Sequence, residues 1–389
     1  MEPDLTSILR CPISQQPLRR LSPEQQTRIS RLTGEGRLRH RDGTGVTERY
    51  EAGFVSEDGR YFYPVVDDIV FLLPDGAIVL DEASSRSVHH ERIGHFKKEV
   101  RDFYEKIGWQ RQADGTFTDA ASWEDLRPVS AQYRHRCHLR VTRHLPASGR
   151  YLLDAASGPI QYDEYLEYSA QYDRRICVDV SLRALREAHR RLGRRGVYLL
   201  ADITHLPLRD DCVDAAVSLH TVYHVPADEQ ERALNELHRV LKPGGTTVVV
   251  YSWGSGAPLM RVAFFPFRLA RILHNLLRRR SSRSPAGAPT IYFHCHDRAW
   301  FASRSWPFGL EMRTWRSCSV PFLRLYVHRW LLGRPLLALV YWLEERLPHW
   351  AGRLGQYPML IFRKHEALGE TLTPVGAIGT PEHAQTTER

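Results

Sequence analysis

Between Tyr151 and Ser252 the chain alternates short continuous apolar runs with longer stretches whose apolar residues recur every three or four positions. The runs Tyr151–Asp154, Ile176–Val180, Tyr198–Ala201, Ala215–Leu219 and Thr246–Ser252 predict buried strands. The intervening periodicity predicts helices near Glu164–Ser169, over Ser181–Leu192 and over Asp228–Leu241. Ser181 and Ala227-Asp228 are the expected N-caps, and Gly244-Gly245 is expected to follow the last turn of the third helix. Alternation of this kind predicts a parallel sheet covered by helices on both faces, an α/β doubly wound architecture.

The flanks read differently. In the first eighty residues the runs Tyr61–Val66 and Ile69–Leu73 are bounded by Glu-Asp-Gly and Pro-Asp-Gly turns, the pattern of a small β-rich module. From Glu82 to Ser148 the period becomes helical, with Phe96, Val100, Phe103, Tyr104 and Ile107 on one face and a second helix expected over Ser130–His144. A basic apolar segment and a Ser/Arg/Pro/Gly stretch interrupt the alternation at 254–290. Two more strands are expected at Leu310–Cys318 and Tyr357–Arg363, separated by a helical insertion rich in Leu, Trp and Arg. The predicted organisation is a module at 1–80, a helical cap or linker at 81–148, the doubly wound domain at 149–366 with insertions at 254–290 and 319–356, and a disordered tail at 367–389.

Composition narrows the class. At 389 residues, 42% hydrophobic and 25% charged, the chain is in the globular range and long enough for two or three units. Its six cysteines show no CxxC spacing, the N-terminus carries no signal pattern, and the apolar run Pro335–Leu343 is far too short for a membrane span. The expected location is the cytoplasm. The net charge of +9 is localised: residues 1–80 hold ten Arg against twelve acids, whereas 255–340 hold fourteen Arg against two, Asp297 and Glu311.

The candidate chemistry lies at the strand ends, where doubly wound sheets bind their ligands. The first predicted strand closes on Leu153-Asp154-Ala155-Ala156-Ser157-Gly158, small residues suited to a tight turn; the second closes on Asp179, twenty-five residues after Asp154. Then follow Ala201-Asp202-Ile203-Thr204-His205-Leu206-Pro207-Leu208, Asp214–His220, and Leu241-Lys242-Pro243-Gly244-Gly245. In this order the segments resemble class I S-adenosylmethionine-dependent methyltransferases of the quinone-biosynthesis-like group, which implies a Rossmann-like seven-stranded methyltransferase sheet. The resemblance implies that Asp154, Ala156, Gly158, Asp179, Val180, Asp202, Ile203 and Leu219 border the cofactor. Asp179 is then the acceptor for the ribose hydroxyls and Asp202 for the adenine amino group, with Ile203 against the ring. Tyr104, Trp109 and Tyr133 of the preceding helices are expected to reach over it. Ala156 and Ile160 stand where the family usually has glycine, so Ala156 is expected at negative φ and Ile160 where the loop has left the cofactor.

Residues Leu9-Arg10-Cys11-Pro12, Phe62–Ile69 and Leu72-Leu73-Pro74 resemble the zinc-ribbon activator subunits of tRNA, ribosomal and release-factor methyltransferases. Ser14, Ser56 and Gly59 stand where that resemblance expects cysteines, so the expectation is a module that has lost its zinc ligands.

Methyl transfer requires a nucleophile in line with the activated methyl, and a neutral imidazole suits removal of a proton from a hydroxyl or acid. His220, His224 and Tyr251 are the candidate catalytic residues. The Asn-Pro-Pro-Tyr signature of exocyclic-amine methyltransferases is absent after the fourth strand, and Tyr251-Ser252-Trp253 resembles the wobble-uridine carboxymethyl O-methyltransferases. His294-Cys295-His296 is not expected to bind metal: alternation puts the two imidazoles on one face and the thiol on the other, with His294 lining the cleft and Asp297 capping a helix. The expected acceptor is a small or lipid-linked molecule methylated on oxygen or carbon. The alternatives are a tRNA or ribosomal RNA methyltransferase and an inactive binding or scaffold relative. Val262, Phe265, Leu269, Leu273 and Leu276 fall on one helical side and Arg261, Arg268, Arg271 and Arg278 on another. The Arg-rich 255–340 block is therefore the candidate surface for peripheral membrane or RNA contact.

Overall fold

The computed structural model describes residues 5–80, 94–267, 269–270 and 291–365. The predicted tail, most of the 254–290 insertion and the start of the 81–148 linker lie outside the described residues. So do Arg268, Arg271, Leu273, Leu276 and Arg278.

Seven strands build the central sheet: β7 (Gly149–Ala155), β8 (Tyr172–Asp179), β9 (Gly196–Leu200), β10 (Val213–Leu219), β11 (Leu241–Val250), β12 (Leu310–Arg316) and β13 (Tyr357–Arg363). Their spatial order is β9-β8-β7-β10-β11-β13-β12, parallel except for β13, which runs antiparallel to both β11 and β12. Leu153 sits beside Ile176 on one side and Ala216 on the other. The order reverses between β7 and β10, the switch point where such sheets bind ligands. Alternate residues feed opposite cores: Tyr151, Leu153 and Ala155 pack on one face of the sheet, Leu152 on the other.

The N-terminal residues add six short strands: β1 (Leu18–Arg20), β2 (Arg39–His40), β3 (Gly53–Ser56), β4 (Tyr61–Val66), β5 (Ile69–Phe71) and β6 (Ile78–Val79). They extend the same sheet. The tight turn after Val66 returns β5 alongside β9 in parallel, with Val70 opposite Leu199, so β9 is not an open edge. A second stitch joins Leu9 to Leu208, flanked by Arg10 N donating to Pro207 O and Arg209 N to Ile8 O. Leu9, Tyr63 and Leu72 accordingly share one core with Leu199, Leu206 and Leu208.

Several local expectations change. Ser181 caps its helix as expected, accepting from Ala184 N at 3.2 Å. The helix Gln230–Arg239 begins later than expected: Glu229 is its N-cap residue without a capping side chain, because that carboxylate is drawn to Lys97. Gly244-Gly245 does not simply follow the helix but lies within β11, where the register against β10 shifts between Leu241 and Thr246. A β-carbon on Gly245 would stand 2.9 Å from Lys242 O and 3.0 Å from Asp214 O, so close backbone approach requires glycine there. The long spacing between Asp154 and Asp179 is taken up by a loop containing the helical turn Glu164–Glu167 and three packed rings, Tyr162, Tyr165 and Tyr168.

Val70 is 2% exposed and paired on both sides. Val70→Asp is expected to cost roughly 3 kcal/mol or more by burying a carboxylate. Because the strands are continuous, module and central sheet should unfold in one transition by calorimetry. Separate melting of residues 1–80 would contradict the shared core.

Candidate functional site

At the carboxyl ends of β7, β8 and β10 a cavity of about 830 Å³ opens. Asp154, Ala156, Ser157 and Gly158 form its floor, Asp179 and Val180 one wall, and Leu219, His220 and His224 another. The floor is fixed from below. Arg175 of β8, 1% exposed, donates from Nε and Nη2 to Asp154 Oδ2 at 3.0 and 2.5 Å and from Nη1 to Tyr165 O. One guanidinium thus ties two strands to the enlarged loop.

The loop keeps the backbone form of alternating glycines without having them. Ala156, Gly158 and Ile160 stand at φ +61°, +55° and +53°. This corrects the expectation of negative φ at Ala156, and it holds a β-branched residue in the left-handed region, at a cost of about 1–2 kcal/mol per non-glycine position. Ile160 itself points away from the cavity into the core beside Leu152 and Leu185. At Gly158 a β-carbon would meet the Trp109 ring at 3.1 Å.

Asp179 accepts Gly158 N at 2.9 Å on one oxygen and Ser181 N at 2.8 Å on the other. Burial pushes its pKa up to about 6, against those two N–H groups. Each oxygen retains a lone pair for a further donor. Tyr104 reaches the cavity because Glu105, in the π-helical turn Tyr104–Gly108, accepts from Ser181 Oγ and Arg183 N at the start of helix Leu182–Leu192. Trp109 stacks on Tyr104 at 5.0 Å.

Four expected site residues lie elsewhere. Asp202 does not line the cavity: its Oδ1 accepts from Thr204 N and Oγ1, and its Oδ2 takes the Lys97 ammonium at 2.8 Å. Burial raises its pKa, but Lys97 and Thr204 outweigh burial and the net shift is downward. Lys97, on helix His95–Phe103, also pairs with Glu229 at 2.5 Å, so an ammonium stands where the adenine amino group was expected. Ile203, 5% exposed, is likewise absent from the lining. Tyr133 is buried behind the sheet edge, donating to Glu344 Oε1 at 2.6 Å in a knot with Arg140 and Ser317. Tyr251 donates to Gln230 Oε1 at 2.7 Å and accepts His296 N at 2.9 Å. Alternation along the strand end turns Tyr251 into the core and Ser252 into the cavity. For the same reason Phe293, not His294, lines the cleft. Asp297 does cap helix Arg298–Ser303, accepting Trp300 N at 2.9 Å.

His224 is held in one orientation. Its Nδ1 donates to Tyr292 O at 2.8 Å, which fixes the tautomer and leaves the Nε2 lone pair free. Burial lowers its pKa to about 4, partly offset by that carbonyl, so the ring is neutral near pH 7. Burial, with Arg316 adding to it, holds His220 well below the ordinary range; its Nδ1 faces Tyr223 Oη at 3.1 Å and its ring packs edge-on against Trp315 and Tyr357.

Sequence reasoning missed Asp119, Glu124 and Arg316, all in the lining. Asp119 is pushed up to about 6 by burial, against a hydrogen bond to Gln161. Arg316, 1% exposed, donates to Glu124 at 2.5 Å and lies over the Trp315 and Tyr357 rings. The only signal for it was its place among the last residues of a predicted strand.

Residues 153–249 match the family model described as a methyltransferase domain. Over 150 residues the chain is 27% identical to a malonyl-[acyl-carrier protein] O-methyltransferase of Hamiltonella defensa, covering 39% of this chain and 54% of that protein. Over 118 residues it is 34% identical to a demethylmenaquinone methyltransferase of Clavibacter sepedonicus, covering 30% and 46%. The chain thus spans about half the length of the curated relatives it matches. Among solved structures, the complex of the Haloferax volcanii Trm112 methyltransferase activator with a methyltransferase is similar at 16% identity and a TM-score of 0.38, covering 61% of this chain and 92% of that one. A likeness of that order carries no argument about activity or partners. The matched residues run from β7 into β11 and so resemble a methyltransferase domain, and the strand order from β7 to β13 is that of a Rossmann-like methyltransferase sheet.

Ala156→Gly should relieve left-handed strain and stabilise the chain by about 1 kcal/mol, raising Tm by roughly 2–4 °C. No rise in a calorimetric scan would show that the loop is not strained at this position.

Proposed function

We propose that this protein transfers the methyl group of S-adenosylmethionine to an apolar small-molecule or lipid-linked acceptor, on oxygen or carbon. The observation that carries the reading is the continuity of the cavity. It runs from the Asp154, Gly158 and Asp179 strand ends to an apolar wall of Met260, Phe264, Phe293, Val320, Pro321 and Tyr357. The first end offers an acidic hydroxyl acceptor and a close backbone, which fits the ribose and amino-acid parts of the cofactor. The second suits an apolar acceptor. Of the acceptors in the names of the two curated relatives, demethylmenaquinone supports an apolar acceptor and the carrier-bound malonyl group supports transfer to oxygen.

When bound, S-adenosylmethionine supplies an electrophilic methyl group. The protein's part is to orient the acceptor, exclude water and take up the proton. His224 Nε2 is the base we assign, with His220 and Asp119 facing the same space. Adenine recognition through Asp202 requires Lys97 to give way, so we assign the purine to the slot between Val180, Val100 and Tyr104. Residues 1–80 are read as an activator-like module fused to the sheet, with Cys11 Sγ in contact with Tyr63 Oη at 3.1 Å and Ser14 N at 3.3 Å rather than in a thiolate set.

Calorimetric titration with S-adenosylmethionine should show binding that Asp179→Ala weakens by about tenfold or more. No binding to the wild-type chain would sink the reading in favour of an inactive relative, which the residues at 156 and 160 otherwise recommend. His224→Phe should lower kcat about 10²- to 10⁴-fold while cofactor affinity holds. An unchanged kcat removes His224 as base.

Asp119 supplies a pH test. A carboxyl whose folded pKa of about 6 lies above its unfolded value destabilises the fold increasingly as pH rises through that interval. Asp119→Asn should therefore raise Tm at pH 7.5, with a gain that shrinks as pH falls through about 6 towards 4. A gain independent of pH would show that Asp119 is not buried as a charge.

A further inference from the structure

Helix Gly333–Arg346 is inside out. Its inward residues are Leu337, Val340, Tyr341 and the carboxylate of Glu344; its outward stripe is Leu336, Leu339, Trp342 and Leu343. The orientation is fixed by Glu344, 2% exposed, which accepts from Tyr133 and Ser317 and is ion-paired with Arg140. Rolling the apolar stripe inward would break that buried set. The stripe continues through Leu347 and Trp350 at one end and Trp330, Leu331 and Leu332 at the other, with Trp330 78% exposed. An exposed apolar surface of this extent is uncommon on a monomeric soluble protein and marks a contact.

Charge selects the partner. From Arg329 to Leu354 the acids are Glu344 and Glu345, both paired with Arg140 or Arg143. Among the described residues, Arg329, Arg334, Arg346 and Arg353 have no ion-pair partner on the protein. Unbalanced charge on this face is therefore positive. A second copy would bring like charges together. A nucleic acid would call for stacking platforms in a groove, whereas this surface is a ridge of leucines. Tryptophan and arginine interleaved with leucine suit the headgroup region of a bilayer, with an anionic leaflet adding about 1 kcal/mol per basic residue. The surface starts just after helix Val320–Tyr326, whose Val320, Pro321 and Arg324 line the cleft. Tyr326 of that helix contacts Phe264 and Phe267, and Val262, Phe265 and Phe267 are themselves exposed.

We propose that the Trp330–Trp350 face docks the protein on an anionic phospholipid surface, next to the cleft that takes the acceptor. The location deepens the proposed methyl transfer, since a lipid-linked acceptor would be presented from that surface; the docking itself stands without turnover.

The test is co-sedimentation of the full chain with phosphatidylcholine vesicles with and without phosphatidylglycerol, over a range of salt. Binding should be at least about tenfold tighter to the anionic vesicles and weaken as salt rises. Leu339→Glu with Trp342→Glu should abolish it, and Arg329→Glu with Arg334→Glu should weaken it about tenfold. Trp330→Ser, at the most exposed of these positions, should weaken it with the melting temperature unchanged and so controls for misfolding. Absence of binding, or binding indifferent to these changes, overturns the proposal. It also fails if the same variants instead dissociate a dimer in size-exclusion chromatography or abolish RNA binding while leaving vesicle binding intact. Calorimetry with S-adenosylmethionine on the same samples separates this failure from failure of the methyl-transfer reading.

Discussion

The buried pair between Arg175 and Asp154 is the interaction on which the site depends. Asp154 ends β7 at the switch point of the sheet, 2% exposed, where an unpaired carboxylate would be costly. Arg175 comes from the neighbouring strand and spends a third contact on Tyr165 O, so the acid that begins the loop and the helical turn that ends its excursion are fixed to the same group. Removing either partner leaves the other buried and uncompensated, which costs about 3–5 kcal/mol. The loop above can then hold an unusual backbone because its base does not move. Gly158 N is thereby aimed at Asp179, and the second strand end is set relative to the first.

The same logic of buried polar groups explains which walls are fixed. Glu105 anchors the turn carrying Tyr104, Arg316 and Glu124 join the aromatic wall to the helical cap, and Glu344 holds the C-terminal insertion against helix Ala131–Leu139. Each anchor pairs a residue before β7 with one from the helix after β8, the sheet or a later insertion. The cap is therefore built from residues on both sides of the β7–β11 stretch.

That division sets what was legible. Strands β7 to β11, their parallel order and Asp179 could be read from local pattern, because apolar runs and strand-end acids are local consequences of the pleat and the switch point. Asp202 was legible as a strand-end acid but not as a partner of Lys97, a residue 105 positions away whose helix gives no hint of where it docks. Tyr251 was misplaced by one residue of strand parity, which a one-residue uncertainty in strand position is enough to invert. Tyr133 and Arg140 are seven positions apart and so share a helix face, but only Glu344 opposite them makes that face a clamp rather than a lid. Asp119 and Arg316 carry no motif. Their place in the cleft comes entirely from tertiary packing.

The strained loop shows where shape prevails over residue preference. Glycine would hold the left-handed conformation at positions 156 and 160 without steric cost, yet the chain keeps the conformation with Ala and Ile. At 160 the gain is visible: the side chain is fully buried with Leu152 and Leu185, and burying an isoleucine contributes about 1.5–3 kcal/mol, enough to offset the backbone penalty. At 156 the methyl is partly buried against the core on the Leu153 face and offsets much less. Left-handed strain at the cavity itself is borne by Ala156 and by His220, at φ +58°, both in its lining, the pattern expected when conformation is held for binding rather than for stability.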